Sequence, residues 1–204
     1  MKLKLTALVV GAFLTTMFSI PAYADDFDRH QMNYQVNFAD DWHIRYRSYT
    51  EGPNGDWGKD KSHFQIGTKV WDGKIKLQYQ YWDNNGKYEH RPRFDIVGFK
   101  WRGFSIGKRF EFRHQEGKDE YIRPWIQLGY QYKWDKNKIK ISVNPRFALG
   151  KDGVDDGDLE NILTIFEYER KIGRFAIAPG IWYQVDDNLD KKSLYTTLAF
   201  KYKF

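Results

Sequence analysis

Basic side chains recur two residues apart along this chain: Arg45 and Arg47, Lys74 and Lys76, Arg91 and Arg93, Lys138 and Lys140. In an extended strand that spacing puts both on the same face. Continuing the alternation through neighbouring stretches gathers Arg45, Arg47, Lys69, Lys76, Arg93, Arg109, Arg113, Arg123, Lys140 and Arg146 onto one set of faces. A guanidinium is a planar fork that matches a carboxylate bidentately. A water-filled passage lined by cations raises the local concentration of anions and selects for them. The chemistry on offer is therefore anion recognition and passage. Trp71, Trp82, Trp125, Trp182 and Tyr195 share the parity, and their rings could stack against sugar rings. The opposing expectation is that these cations pair with Asp95, Glu111, Glu167 and Glu169 and fill a narrow interior, as small barrels do.

Bond-making chemistry is poorly served. There is no cysteine, so neither a thiol nucleophile nor a disulfide framework is available. His30, His43, His63, His90 and His114 show no metal-ligand spacing. No G-x-S-x-G is present. No enzyme, metal or cofactor is expected. The formal net charge of +6 would suit nucleic acid, but an export signal argues against that partner.

That signal is the N-terminus. Met1-Lys2-Leu3-Lys4 is basic, Thr6–Ile20 is apolar and Ala22-Tyr23-Ala24 is an A-x-A cleavage site. Residues Met1–Ala24 read as a secretory signal peptide, leaving 25–204 as one domain. No later stretch is long and apolar enough for a transmembrane helix.

The elements that must position the cations are strands. Leu194–Phe204 alternates without a break, with Leu194, Thr196, Leu198, Phe200, Tyr202 and Phe204 on one face and Tyr195, Thr197, Ala199, Lys201 and Lys203 on the other. The same alternation runs through the rest of the domain, and a phase slip at Val97-Gly98-Phe99 predicts a bulge at Gly98. Short connections at Ala39–Asp41, Asp72-Gly73, Arg102-Gly103, Asp135–Asn137 and Lys171–Gly173 interleave with longer polar ones at Glu51–Lys61, Asp83–His90, Gln115–Glu120, Gly150–Asp158 and Asp186–Lys192. Short turns at one end and longer loops at the other are the pattern of an outer-membrane barrel. A mean hydropathy of −0.74 with 18% aromatic residues fits a wet interior, a thin apolar band and aromatic belts. The expected fold is an all-β transmembrane antiparallel β-barrel. Eleven strands are clear. An even count needs Asp25–His30 as a further strand, giving twelve, or the loss of Gln31–Phe38, giving ten.

The run from Phe110 through Arg113-His-Gln-Glu-Gly-Lys-Asp-Glu-Tyr121-Ile-Arg123-Pro124-Trp125 to Tyr130, the basic stretch Lys138–Arg146 and the Tyr/Lys/Phe ending resemble the oligogalacturonate-specific porin family (KdgM-type). The resemblance runs from Trp42 to Phe204. It implies a twelve-stranded monomer in the outer membrane with inward arginine tracks that pass acidic oligosaccharides, and it maps Arg109, Arg113, Arg123, Lys140 and Arg146 onto inward basic positions. The chain is shorter than that pattern, with a compressed N-terminal hairpin. The expected function is passive diffusion of acidic oligosaccharides or other small organic anions. The alternative is a structural or adhesion barrel whose lumen is plugged and whose external loops matter.

Overall fold

The computed structural model describes residues 29–39, 41–51, 61–118 and 120–204. The expected signal peptide and the tip of the Glu51–Lys61 loop lie outside these residues. The strands are β1 (Arg29–Phe38), β2 (Trp42–Glu51), β3 (Lys61–Val70), β4 (Ile75–Asn84), β5 (Lys87–Trp101), β6 (Phe104–Gln115), β7 (Tyr121–Trp134), β8 (Asn137–Phe147), β9 (Leu159–Ile172), β10 (Phe175–Val185) and β11 (Lys191–Lys203). They form one closed barrel, each strand antiparallel to the next in sequence. The described residues contain no helix.

Twelve strands, or ten, are expected, and the described residues form eleven; of the expected extra strand Asp25–His30, positions 25–28 lie outside the described residues. Arg29 and His30 begin β1 rather than forming a strand of their own. With antiparallel neighbours throughout, an odd count leaves the first and last strands running the same way. The ring therefore closes through one parallel ladder between β1 and β11, from Arg29 opposite Tyr195 to Asn37 opposite Lys203. Tyr34 stacks on Phe200 across this seam at 5.6 Å on the outer face.

A second correction concerns Asp83–His90, which is not a loop. β4 and β5 run on to a two-residue turn, Asn85-Gly86, with φ of 54° and 78°. Two successive positive φ values define the turn whose twist matches a hairpin. The bulge at Gly98 is present, as the β5–β6 register shifts between Val97 and Lys100. A Cβ at Gly98 would sit 2.6 Å from the Ile106 carbonyl oxygen, so the backbones approach there as only glycine allows.

The two faces of the wall differ in kind. Outward positions are large and apolar yet exposed: Ile106 is 50% exposed, Phe112 46% and Leu128 42%. At the turn end Trp42, Trp71, Phe99, Trp101, Phe104 and Phe175 are exposed in a belt. Lys108 also faces outward, between Ile96 and Ile126 of the neighbouring strands. Inward positions are polar and largely buried, among them Gln31, Asn33, Gln65, Gln80, Glu111 and Asn144. A sheet wet inside and greasy outside inverts the usual soluble arrangement.

Candidate functional site

The inward faces enclose a cavity of about 610 Å³ with walls from all eleven strands. Of the ten cations singled out in the sequence, Arg45, Arg47, Lys76, Arg93, Arg109, Arg113, Arg123, Lys140 and Arg146 line it. Lys69 does not. It stands exposed at the turn end of β3, 3.6 Å from Asp41. Trp82, Trp125, Trp182 and Tyr195 line the cavity, whereas Trp71 is 72% exposed. β3 ends at Val70, and the positive φ of Trp71 and Asp72 carries the chain out of the strand, so parity no longer holds there.

The lining cations fall into two groups. The first is bound to carboxylates of β5, β6 and β9. Arg109 holds Asp95 bidentately at 2.6 and 2.7 Å. Arg113 holds Glu89 at 2.5 and 2.8 Å, and Arg91 shares the same carboxylate at 2.5 Å. Arg123 holds Glu160 at 2.5 and 2.7 Å. At the centre Glu111, with no exposed surface, is ringed by Arg93, by Arg123 at 3.5 Å and by Arg113 at 3.9 Å. Lys138 and Lys201 converge on Glu169 at 2.8 and 2.6 Å. A buried charge is tolerated when paired and bridged in this way. These residues build a rigid wall, and most of their charge is already compensated.

The second group has no carboxylate within ion-pairing reach among the described residues. Arg45 donates to the neutral Gln35 Oε1 at 3.0 and 2.5 Å. Arg47 donates to Asn33 Oδ1 and to the Tyr49 hydroxyl at 3.1 Å. Arg146 donates to Asn161 Oδ1 at 3.3 Å. Lys76 and Lys140 line the same cavity. Arg45 and Arg47 lie on β2, and Lys140 and Arg146 lie on β8. These strands are six steps apart one way round the ring and five the other, so their walls face each other.

Aromatic rings hold the guanidiniums in place. Trp125 is a hub, with Arg146 at 3.9 Å from its ring centre, Arg109 at 4.8 Å and Arg93 at 5.6 Å. Arg91 lies 4.0 Å over Trp82, and Arg47 lies 5.1 Å over Trp182. Such contacts fix a cation while leaving its N–H edge available. The buried Nε1 of Trp125 and Trp182 and the Nε of Arg146 find no acceptor among the described residues. The cavity is rich in cationic donors, several of them bonded only to neutral side chains, and this arrangement suits a guest carrying carboxylate, sulfate or phosphate oxygens.

Several contributors escaped the sequence reading. Glu89 was hidden in the supposed loop, although it stands two residues before Arg91 and continues the alternation. Glu160 lies at the start of β9, where the register against β8 shifts between Arg146 and Phe147, so no period-two count could place it. Arg29, which also lines the cavity, lay in a stretch dominated by acids. Among the described residues no three His, Asp or Glu side chains cluster as metal ligands would. Compared with known proteins, the sequence matches no family model and no curated protein.

Proposed function

We propose that this protein is an outer-membrane channel through which acidic oligosaccharides or other small organic anions diffuse passively. It is exported by the Met1–Ala24 signal, is monomeric and carries no catalytic group or cofactor. The reading rests on one observation above all: Arg45, Arg47, Lys76, Lys140 and Arg146 line the interior with no carboxylate within ion-pairing reach among the described residues, and stand partly on facing walls. An entering anion exchanges water for their N–H groups. It meets several such groups along the passage rather than one deep trap, as conduction requires. The exposed apolar band and the belt of Trp and Phe at the turn end suit lipid contact. The stretches that resemble the KdgM-type porins, Phe110–Tyr130 and Lys138–Arg146, support the same reading, with acidic oligosaccharides as the solutes.

A specific observation favours a second reading, a barrel with a closed lumen. His63, Gln65, Gln80 and Glu111 have 1% exposure or less although they face inward, so side chains fill part of the bore. Planar-bilayer recording separates the two. A channel gives discrete conductance steps and a reversal potential on the anion side under a salt gradient. A closed barrel inserts silently. Conduction that favours cations refutes the anion reading.

A further inference from the structure

The two ends of the barrel carry opposite charge. The turn-end segments 39–41, 69–74, 99–103, 133–136, 170–174 and 203–204 hold ten Lys and Arg side chains against three carboxylate side chains among the described residues. The loop-end segments 83–88, 116–120, 148–158 and 186–192, with Lys61, hold six cations against ten carboxylates among the described residues.

One corner of the basic end is hollow. Beside the closing seam, the β9–β10 turn and the last residues of β11 border a cavity of about 450 Å³. Lys171, Arg174 and Lys203 border it together with Phe175, Tyr202 and Phe204; strand alternation puts Lys171 and Lys203 on the inner face and Phe175, Tyr202 and Phe204 on the outer one. The aromatic residues form a cluster, with Tyr202 4.7 Å from Phe175 and 4.8 Å from Phe204. Phe175 and Phe204 are 60% and 72% exposed, so this surface is not consumed by packing within the chain. Glu169, which also borders the hollow, is neutralised by Lys138 and Lys201.

The hollow therefore straddles the rim, where the polar inner face meets the apolar outer face. A soluble anion would use only its basic side, and a neutral apolar molecule only its aromatic side. We infer that this corner binds an anionic phospholipid, its phosphate held by Lys171 and Arg174 and the start of its acyl chain lying along Phe175 and Tyr202. The site lies outside the central cavity. It rests on the membrane reading but not on conduction.

The test uses the full chain in detergent micelles, titrated with phosphatidylglycerol or with zwitterionic phosphatidylcholine, with bound lipids counted by native mass spectrometry. One phosphatidylglycerol is expected to bind in preference to phosphatidylcholine. The variant Lys171→Gln/Arg174→Gln should lose on the order of thirtyfold in that affinity, two interfacial cations having been removed. Lys100→Gln/Arg102→Gln, at a different turn of the same basic rim, should bind as the parent does. Phe175→Ser, which leaves every charge in place, should weaken lipid binding. Equal affinity in the Lys171/Arg174 variant overturns the site, as does an equal loss in the Lys100/Arg102 control, which would mark diffuse attraction to the rim. Displacement of the lipid by inorganic phosphate alone, with Phe175→Ser behaving as the parent, shows a soluble-anion site and also overturns it. A chain that enters neither micelles nor vesicles refutes the membrane reading and this site together, whereas a chain that inserts but does not conduct leaves the lipid result standing.

Discussion

The division of the lining arginines into compensated and uncompensated groups makes a sharp prediction about ion selectivity. Arg45 and Arg47 on β2 donate to neutral amide oxygens of β1, so replacing both with Gln removes two positive charges without stranding an acid. For a charge roughly 7 Å from a monovalent ion in water-filled space, Coulomb's law gives about 0.6 kcal/mol, reduced to about 0.5 at 10 mM salt. Each arginine attracts the anion and repels the cation by that amount. Losing both thus shifts the anion–cation difference by about 2 kcal/mol, roughly thirtyfold in permeability ratio. Arg109→Gln behaves otherwise. It strands Asp95, which is 4% exposed, and breaking a buried pair from one side costs about 3–5 kcal/mol of stability. The assay is the reversal potential of single channels under a KCl gradient at low and high ionic strength, paired with denaturant unfolding in vesicles. The Arg45/Arg47 variant should keep its stability and lose selectivity, with the difference shrinking as salt is raised. Unchanged selectivity in that variant refutes the reasoning, as does an unfolding midpoint for Arg109→Gln equal to the parent's.

Glu111→Gln removes the anion at the centre of three guanidiniums and should destabilise the barrel by about 3–5 kcal/mol, read from tryptophan fluorescence during unfolding; a neutral outcome would mean the site is well hydrated. The neighbours Gln127 and Leu128 face opposite ways, one into the cavity and one 42% exposed on the outer band. Leu128→Arg should cost about 2–4 kcal/mol of folding free energy in lipid while Gln127→Arg costs far less, and equal costs would contradict the assignment of faces. Gln31 and Thr197 are partners in the parallel ladder, and the chain has no cysteine of its own. Gln31→Cys/Thr197→Cys should therefore form one disulfide under oxidising conditions, visible as a mobility shift on a non-reducing gel. Free thiols in the folded protein would show that the ring closes elsewhere.

Much of the wall was legible because a closed sheet with two unlike faces writes its period into the chain. The alternation in Leu194–Phe204 predicted β11, and the slip at Gly98 predicted the β5–β6 bulge. The closure was not legible. Whether β1 meets β11 in parallel depends on how many strands stand between them, which is a property of the ring rather than of any window of sequence. Asn85-Gly86 is a hairpin signal of the strongest kind, but the polar residues around it masked the strand. Trp71 shows parity failing where a strand gives way to a turn with positive φ, and Lys69, still paired with Lys76, shows that a residue of inward parity can stand at the rim beyond the cavity. Above all, alternation tells which arginines face inward and says nothing of which are neutralised. Arg123 and Glu160 are 37 residues apart, and only the register of three strands with a bulge in one of them brings them together.

The same-direction meeting of β1 and β11 has a consequence for how the molecule is addressed. Arg29 stands at the loop mouth and Phe204 at the turn mouth. In the proposed membrane-spanning barrel, fusions placed at these two positions emerge in different compartments, so reporters attached to each see opposite sides of the bilayer. The ladder joining them is also the pairing most distant in sequence. Zippering from one hairpin to the next cannot complete the cylinder, and the final sealing step has to wait until nearly the whole chain has been laid down.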